Sequence, residues 1–320
     1  MIVAITGGTG FIGKKLVARL GERGDTVRLL TRNPAVSGLP SPVKVHQCDL
    51  VTVGAGDLSA MLDGVDVLYH CAGQLTNTQA MKALHVDATR KLVAAASGRV
   101  AHWVQLSSVG VYGPAHDGFI TEEAALNPVG EYEVTKAESD RIVIDGANRG
   151  GYSYTILRPS NVFGAGMNNR SLFGLIAMID RGLFFYIGKP GASANYIHVD
   201  NVAEGLIRCA TMQAARGRTF NLSDHRTLEQ FANTIADALG RPAPRLRMPE
   251  TIARLAALTL GRLPRFPLTP SRVDALVNRS QYPITRIQQE LGYAHVASME
   301  DGLRDLVKAY RQRFRQRELK

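Results

Sequence analysis

The chain has 320 residues, more than one compact core usually holds, so two lobes or one domain with a large appendage are expected. Hydrophobic residues make up 45% and charged residues 21%, and 31 Gly and 14 Pro are scattered rather than repeated, which excludes disordered, collagen-like and coiled-coil proteins. The net charge of +10 is uneven: residues 241–320 carry 16 Lys/Arg against 7 Asp/Glu. A charge run of this kind is usually a solvated surface, and its alternative is attraction for an anionic partner.

Short β-branched runs at 2–5, 27–30, 43–47, 65–69, 103–106 and 153–157 alternate with helical patterns at 11–20, 80–96 and 132–147. That alternation predicts parallel strands joined by helices, an α/β doubly wound sheet (Rossmann) over residues 1–160. A segment near 195–212 is expected to complete it. From Asn161 the texture changes to glycine-broken loops and capped helices, which predicts a smaller, mostly helical substrate lobe over 161–320. Thr227-Leu228-Glu229-Gln230 and Thr285-Arg286-Ile287-Gln288 read as capping boxes. Pro264, Pro267 and Pro270 punctuate a connector between a helix near 250–261 and another starting near Ser271.

The first strand runs into Thr6-Gly7-Gly8-Thr9-Gly10-Phe11-Ile12-Gly13 and then a helix. Glycines at 7, 10 and 13 permit a tight turn, close backbone approach to a pyrophosphate and close packing of helix on strand, and the helix N-terminus attracts the anion. A dinucleotide belongs there. The second strand ends Thr31-Arg32-Asn33-Pro34, without the carboxylate that takes a ribose 2′-hydroxyl. Arg32 offers a planar cation to a 2′-phosphate, so NADP(H) is expected ahead of NAD(H). Asp49-Leu50 is placed to hold the adenine edge, and Cys71-Ala72-Gly73 supplies small residues where the cofactor lies close; both also fit plain turn chemistry.

Ser107 and Ser108 end the strand at 103–106, at the carboxyl edge where ligands bind in open α/β sheets. Tyr132 and Lys136 stand four apart on one helix face, and a cation beside the phenol is expected to pull its pKa down toward working pH. No Gly-x-Ser-x-Gly elbow, metal-ligand spacing or CxxC occurs, and no metal is assigned. Asp200, in His198-Val199-Asp200, reads as a helix N-cap. The three cysteines, Cys48, Cys71 and Cys209, suggest reduced thiols. With neither a membrane span nor a secretory signal, a cytosolic protein is expected.

These residues together resemble the extended short-chain dehydrogenase/reductase family, the NAD(P)-dependent epimerase/dehydratase group. The resemblance rests on the glycine turn, Asp49-Leu50, Ser-Ser-x-x-x-Tyr-Gly at 107–113, Tyr-x-x-x-Lys at 132–136, Leu157-Arg158-Pro159, the run 196–203 and Glu290-Leu291-Gly292-Tyr293. It implies Ser108 as catalytic hydroxyl, Tyr132 as acid/base and Lys136 on the nicotinamide ribose, with Pro159 and Ser160 beside the cofactor. Gln74, Ser108 and Asn161 would line the substrate cavity. It also implies a homodimer through the helices at 80–96 and 132–147. Two positions depart from the pattern: His85 stands where the family often has Asn, and Ala194-Asn195-Tyr196 stands where epimerase-like members carry a diphosphate-gripping arginine.

The sequence therefore predicts an NADP(H)-dependent oxidoreductase or epimerase acting on a small-molecule hydroxyl or keto carbon, foremost a nucleotide-linked sugar. Arg279 or Arg272 would then grip the diphosphate. The alternatives are a 3β-hydroxysteroid or sterol-like alcohol dehydrogenase, to which the C-terminal run from 246 to 302 is similar, and a non-catalytic NADPH-sensing module. No nucleic acid partner is expected.

Overall fold

The computed structural model describes residues 1–36, 43–114, 117–167, 170–261 and 268–318, so Pro264, Pro267 and His116 lie outside the described residues. The chain opens β1 (Ile2–Thr6), α1 (Phe11–Glu22), β2 (Thr26–Thr31), β3 (Val43–Gln47), α2 (Ala55–Leu62) and β4 (Val65–His70). Next come α3 (Thr78–Met81), a π-helical stretch Lys82–Asp87, α4 (Ala88–Ala96), β5 (Val100–Leu106), α5 (Glu131–Asn148) and β6 (Ser153–Pro159). The expected helix at 80–96 is thus interrupted by wider turns, and these carry His85 inward.

Seven parallel strands form one sheet in the order β10-β6-β5-β4-β1-β2-β3, where β10 is Arg218–Leu222. Both faces are covered, as an all-parallel sheet requires. Val27, Leu29 and Tyr69 pack with Leu16 and Leu20 of α1 on one face. Leu30, Leu68 and Trp103 pack with Leu58, Leu92 and Val143 on the other.

Beyond β6 follow β7 (Asn161–Phe163), α6 (Arg170–Asp180), β8 (Tyr186–Ile187), β9 (Ser193–His198) and α7 (Val199–Thr211), which returns to pack on α1. Arg19 of α1 donates to the Asp200 carbonyl, and Lys15 meets the Asp200 carboxylate at 3.2 Å. Asp200 is not the N-cap expected: the helix starts at Val199, and the His198 ring accepts the Asp200 amide instead. Past β10 come β11 (Asp224–Thr227), α8 (Leu228–Leu239), β12 (Arg247–Met248), α9 (Glu250–Leu260), α10 (Pro270–Val277), α11 (Thr285–Leu291) and α12 (Met299–Glu318).

Thr227 and Gln230 make the expected capping box. Thr285 does not, because α11 begins one residue earlier in its geometry, with Ile284 as cap and Thr285 already helical. A second core, with Phe163, Ile176, Phe231, Ile235 and Leu303, binds α6, α8 and α12 into the helical C-terminal region. Among the described residues no helix is long and apolar enough to cross a membrane.

Candidate active site

The parallel strands place their following loops at one edge, where the glycine turn and the start of α5 meet. Gly7 has φ +71°, and a Cβ on it would stand 2.5 Å from Ala72 N; one on Gly13 would stand 2.2 Å from Gly7 O. Only glycine fits this cradle. Gly10 caps α1 without a side-chain bond, so the helix N-terminus faces outward with amide donors suited to a pyrophosphate. Thr9, Phe11 and Ile12 are partly buried beside it, and Phe11 reaches toward Gly164 and Gly166.

Arg32 is exposed just beyond β2 and forms no ion pair with another described residue. Asp49 Oδ1 accepts the Val51 amide at 3.0 Å in a local turn, and Leu50 is buried. Cys71 and Ala72 back the glycine turn, Ala72 N donating to Thr6 Oγ1. Gln74 folds its side-chain carbonyl onto Leu75 N and Thr76 N, so it braces its own loop.

The two serines part company in the structure. Ser107 is buried and donates to Asp140 Oδ2 at 2.7 Å. Ser108 is half-buried, its Oγ accepting the Gly110 amide at 3.1 Å at the start of a 3₁₀ turn, Val109–Tyr112. Tyr132 lies in the first turn of α5, beside Glu131 and Glu133, whose charges favour a helix start there. One turn on, Lys136 is buried and donates from Nζ to Leu106 O at 2.5 Å. Burial lowers its pKa, against the pull of Asp140.

The expectation that Lys136 depresses the Tyr132 phenol is overturned. Burial, with Glu133 and Asp140 adding to it, pushes that phenol up to about 12, so it is neutral near pH 7. A buried neutral phenol of this kind can donate a proton but is a weak base near pH 7.

Two arrangements had no sequence signal strong enough to find. His85 Nε2 accepts the Gln74 amide at 2.9 Å, and its Nδ1 meets Thr135 Oγ1 at 2.8 Å, while its ring lies edge-on to Tyr132 at 5.7 Å. Burial, then the Lys136 ammonium, lower its pKa to about 4. Beneath the serines, Arg158 and Asp140 form a buried ion pair at 3.3 Å, and Arg158 also donates to Tyr112 OH. Tyr112 OH in turn donates to Asn221 Oδ1, tying β10 to the site.

On the substrate side, Asn161 is exposed at the start of β7, next to Pro159 and Ser160, and Ser160 N donates to Leu222 O. Arg279 donates to Pro190 O at 2.7 Å and to Lys189 O at 2.8 Å, and Ala194 is buried in β9. The structure thus commits Arg279 to holding a loop.

Residues 3–223 match the profile of the NAD dependent epimerase/dehydratase family. The chain belongs to that family. As an epimerase/dehydratase-type oxidoreductase it shares 25% identity with a 3-beta-hydroxysteroid dehydrogenase of Mycolicibacterium neoaurum, over 98% of this chain and 92% of that one. A dTDP-6-deoxy-L-talose 4-dehydrogenase (NAD(P)(+)) of Kitasatospora kifunensis is 35% identical over 55% of this chain and 57% of its own length. In three dimensions it superposes on MoeE5 in complex with UDP-glucuronic acid and NAD, with a TM-score of 0.76 at 23% identity over 98% of this chain and 100% of that one. The glycine cradle at Gly7 and Gly13 fits the dinucleotide of the family.

Proposed function

We propose that the protein interconverts a secondary alcohol and a ketone on an apolar ring system, using NADP(H) ahead of NAD(H). The observation that carries this reading is a pair of exposed aliphatic side chains on the segments that adjoin the site residues. Leu75 and Val129 are 72% and 70% exposed, the first next to the Gln74 amide held by His85, the second three residues before Tyr132. Large aliphatics at a reactive edge suit an apolar substrate. Arg279, one of the two arginines expected to grip a diphosphate, is engaged with two carbonyls, Ala194 is buried, and a relative matched along nearly its whole length is named as a steroid dehydrogenase.

A dinucleotide held there would supply the hydride acceptor or donor. In reduction, Tyr132 gives its phenolic proton to the carbonyl oxygen as the hydride arrives at carbon, and Ser108 donates a hydrogen bond to that oxygen. In oxidation the same proton returns to Tyr132. Lys136, fixed under the site by Leu106 O, orients the nicotinamide ribose and supplies positive charge when the phenol ionises. Arg32 would meet the 2′-phosphate, and the glycine turn would hold the pyrophosphate.

A nucleotide-linked 4-keto sugar is the second reading, favoured by the 35% identity to the talose dehydrogenase and by the basic C-terminal quarter. Steady-state assay of NADPH oxidation against 3-ketosteroids and dTDP-4-keto-6-deoxy sugars separates the two. Turnover of the steroid alone is expected, and turnover of the sugar alone overturns the apolar reading.

A further inference from the structure

A chain of polar side chains runs through the interior from the glycine turn to α5. Thr6, His70, Thr89, Ser139 and Gln105 form it, each no more than 1% exposed. One placement of protons satisfies them all. Trp103 Nε1 donates to Gln105 Oε1 at 3.0 Å, which turns the Gln105 amide nitrogen toward Ser139 Oγ, also at 3.0 Å. Thr89 Oγ1 gives its own proton to the His85 carbonyl at 2.6 Å, so it accepts at its other contacts, Ser139 Oγ and His70 Nε2, each at 3.1 Å. His70 therefore carries its proton on Nε2, and its bare Nδ1 accepts the Thr6 hydroxyl at 2.7 Å. Thr6 Oγ1 in turn accepts the Ala72 amide at 3.3 Å. Burial, then the Lys136 ammonium and His85, lower the His70 pKa to about 3, which keeps the ring neutral.

The ends of this chain lie at the two halves of the site. Thr6 precedes Gly7, and the Ala72 nitrogen that it holds is the atom a Cβ on Gly7 would meet at 2.5 Å. Thr89 holds the carbonyl of His85, whose ring takes the Gln74 amide and Thr135 and lies edge-on to Tyr132. The loop 71–74, which backs the turn, is thus fixed at its start by His70 and at its end by His85. Apolar side chains could fill this space without needing a partner for every group, whereas a fully satisfied network rigidifies the elements it joins.

We propose that His70 is a positioning residue that couples the dinucleotide seat to the π-helical turn holding His85 beside Tyr132. Through Thr6 it sets Ala72 against Gly7, and through Thr89 it sets the His85 carbonyl and α5. This rests on the glycine turn seating the dinucleotide, and it holds for either substrate.

The test is a double-mutant cycle on cofactor binding by the whole protein, with NADPH and NADH titrated into the parent, His70→Phe, Thr89→Val and the pair. Thr89 lies on α4 and is joined to the turn through His70, so each single variant should weaken both dinucleotides alike, by about three- to tenfold, and the pair should be no weaker than the worse single one. His70→Gln, which can accept from Thr6 and donate to Thr89, should recover most of the affinity. Nitrogen NMR of the parent should place the His70 proton on Nε2. With a ketone that the protein reduces, the single-turnover hydride step at saturating NADPH should slow about ten- to hundredfold in the same variants and recover in His70→Gln. The coupling is overturned if the two losses multiply, if NADPH alone is affected, if His70→Gln is no better than His70→Phe, if the proton lies on Nδ1, or if the hydride step keeps its parental rate. Should circular dichroism show His70→Phe unfolded, Thr89→Val decides alone, and parental affinity for both dinucleotides overturns the coupling. A parent that binds neither dinucleotide overturns the seat itself.

Discussion

Thr135 Oγ1 lies 2.8 Å from His85 Nδ1, and the Gln74 amide on the opposite ring nitrogen makes this a bond that the imidazole donates. Because Nε2 must accept the Gln74 amide, the proton sits on Nδ1 and points at Thr135, whose own hydroxyl can then pass on to the Glu131 carbonyl. A neutral ring therefore ties the loop behind β4 to the first turn of α5. The π-helical turns that hold His85 are what bring it between them.

Acid should loosen this structure through its neutral histidines. Burial lowers His85 and His102 to about 4 and His70 to about 3. Each folded pKa is below the unfolded value near 6.5, so the unfolded chain binds the extra protons. The stabilisation is complete above pH 6.5 and is lost as pH falls toward 4, at up to about 1.4 kcal/mol per pH unit for each ring. Urea midpoints should hold level from pH 7.5 to about 6.5 and then fall steadily to pH 4.5, and a profile flat throughout would refute the assignment of neutral buried rings.

Arg158→Leu should cost about 3–5 kcal/mol, because it strands Asp140 as an uncompensated buried charge. Asp140 Oδ1 already has no hydrogen-bond partner, so the neutral Ser107 hydroxyl on Oδ2 is the donor left to it. Denaturant unfolding reads the cost directly. The pair Arg158→Leu with Asp140→Leu should recover part of it, and a double variant no better than the single one counts against the ion pair as the cause.

Arg32→Ala should weaken NADPH roughly ten- to hundredfold, the loss of one hydrogen bond to a charged group, and leave NADH nearly unchanged. Fluorescence titration of both cofactors checks this. Equal losses for the two would move the 2′-phosphate contact elsewhere.

What the sequence disclosed follows from where the information sits. Parallel strands covered on both faces read as apolar runs, so β1 to β6 are legible, while β10 alternates Arg218-Thr219-Phe220-Asn221-Leu222 at the sheet edge and gives no such run. The glycine turn and the Tyr132–Lys136 spacing are local patterns and survive translation into geometry. His85 and Thr135 are 50 residues apart, and Arg158 and Asp140 are 18 apart on different elements, so only packing joins them. The phenol's pKa departs from the expectation for the same reason: spacing shows the cation but not the burial, and burial dominates at Tyr132.

The most direct measurement is the rate of hydride transfer by Tyr132→Phe against the parent, with NADPH and a turned-over ketone in single-turnover conditions. The phenylalanine ring keeps the packing against His85 and removes one proton-carrying hydroxyl. A loss of about 10²- to 10⁴-fold in the chemical step, with NADPH affinity unchanged, is the predicted result. A variant that retains most of its rate would contradict the placement of proton transfer at Tyr132.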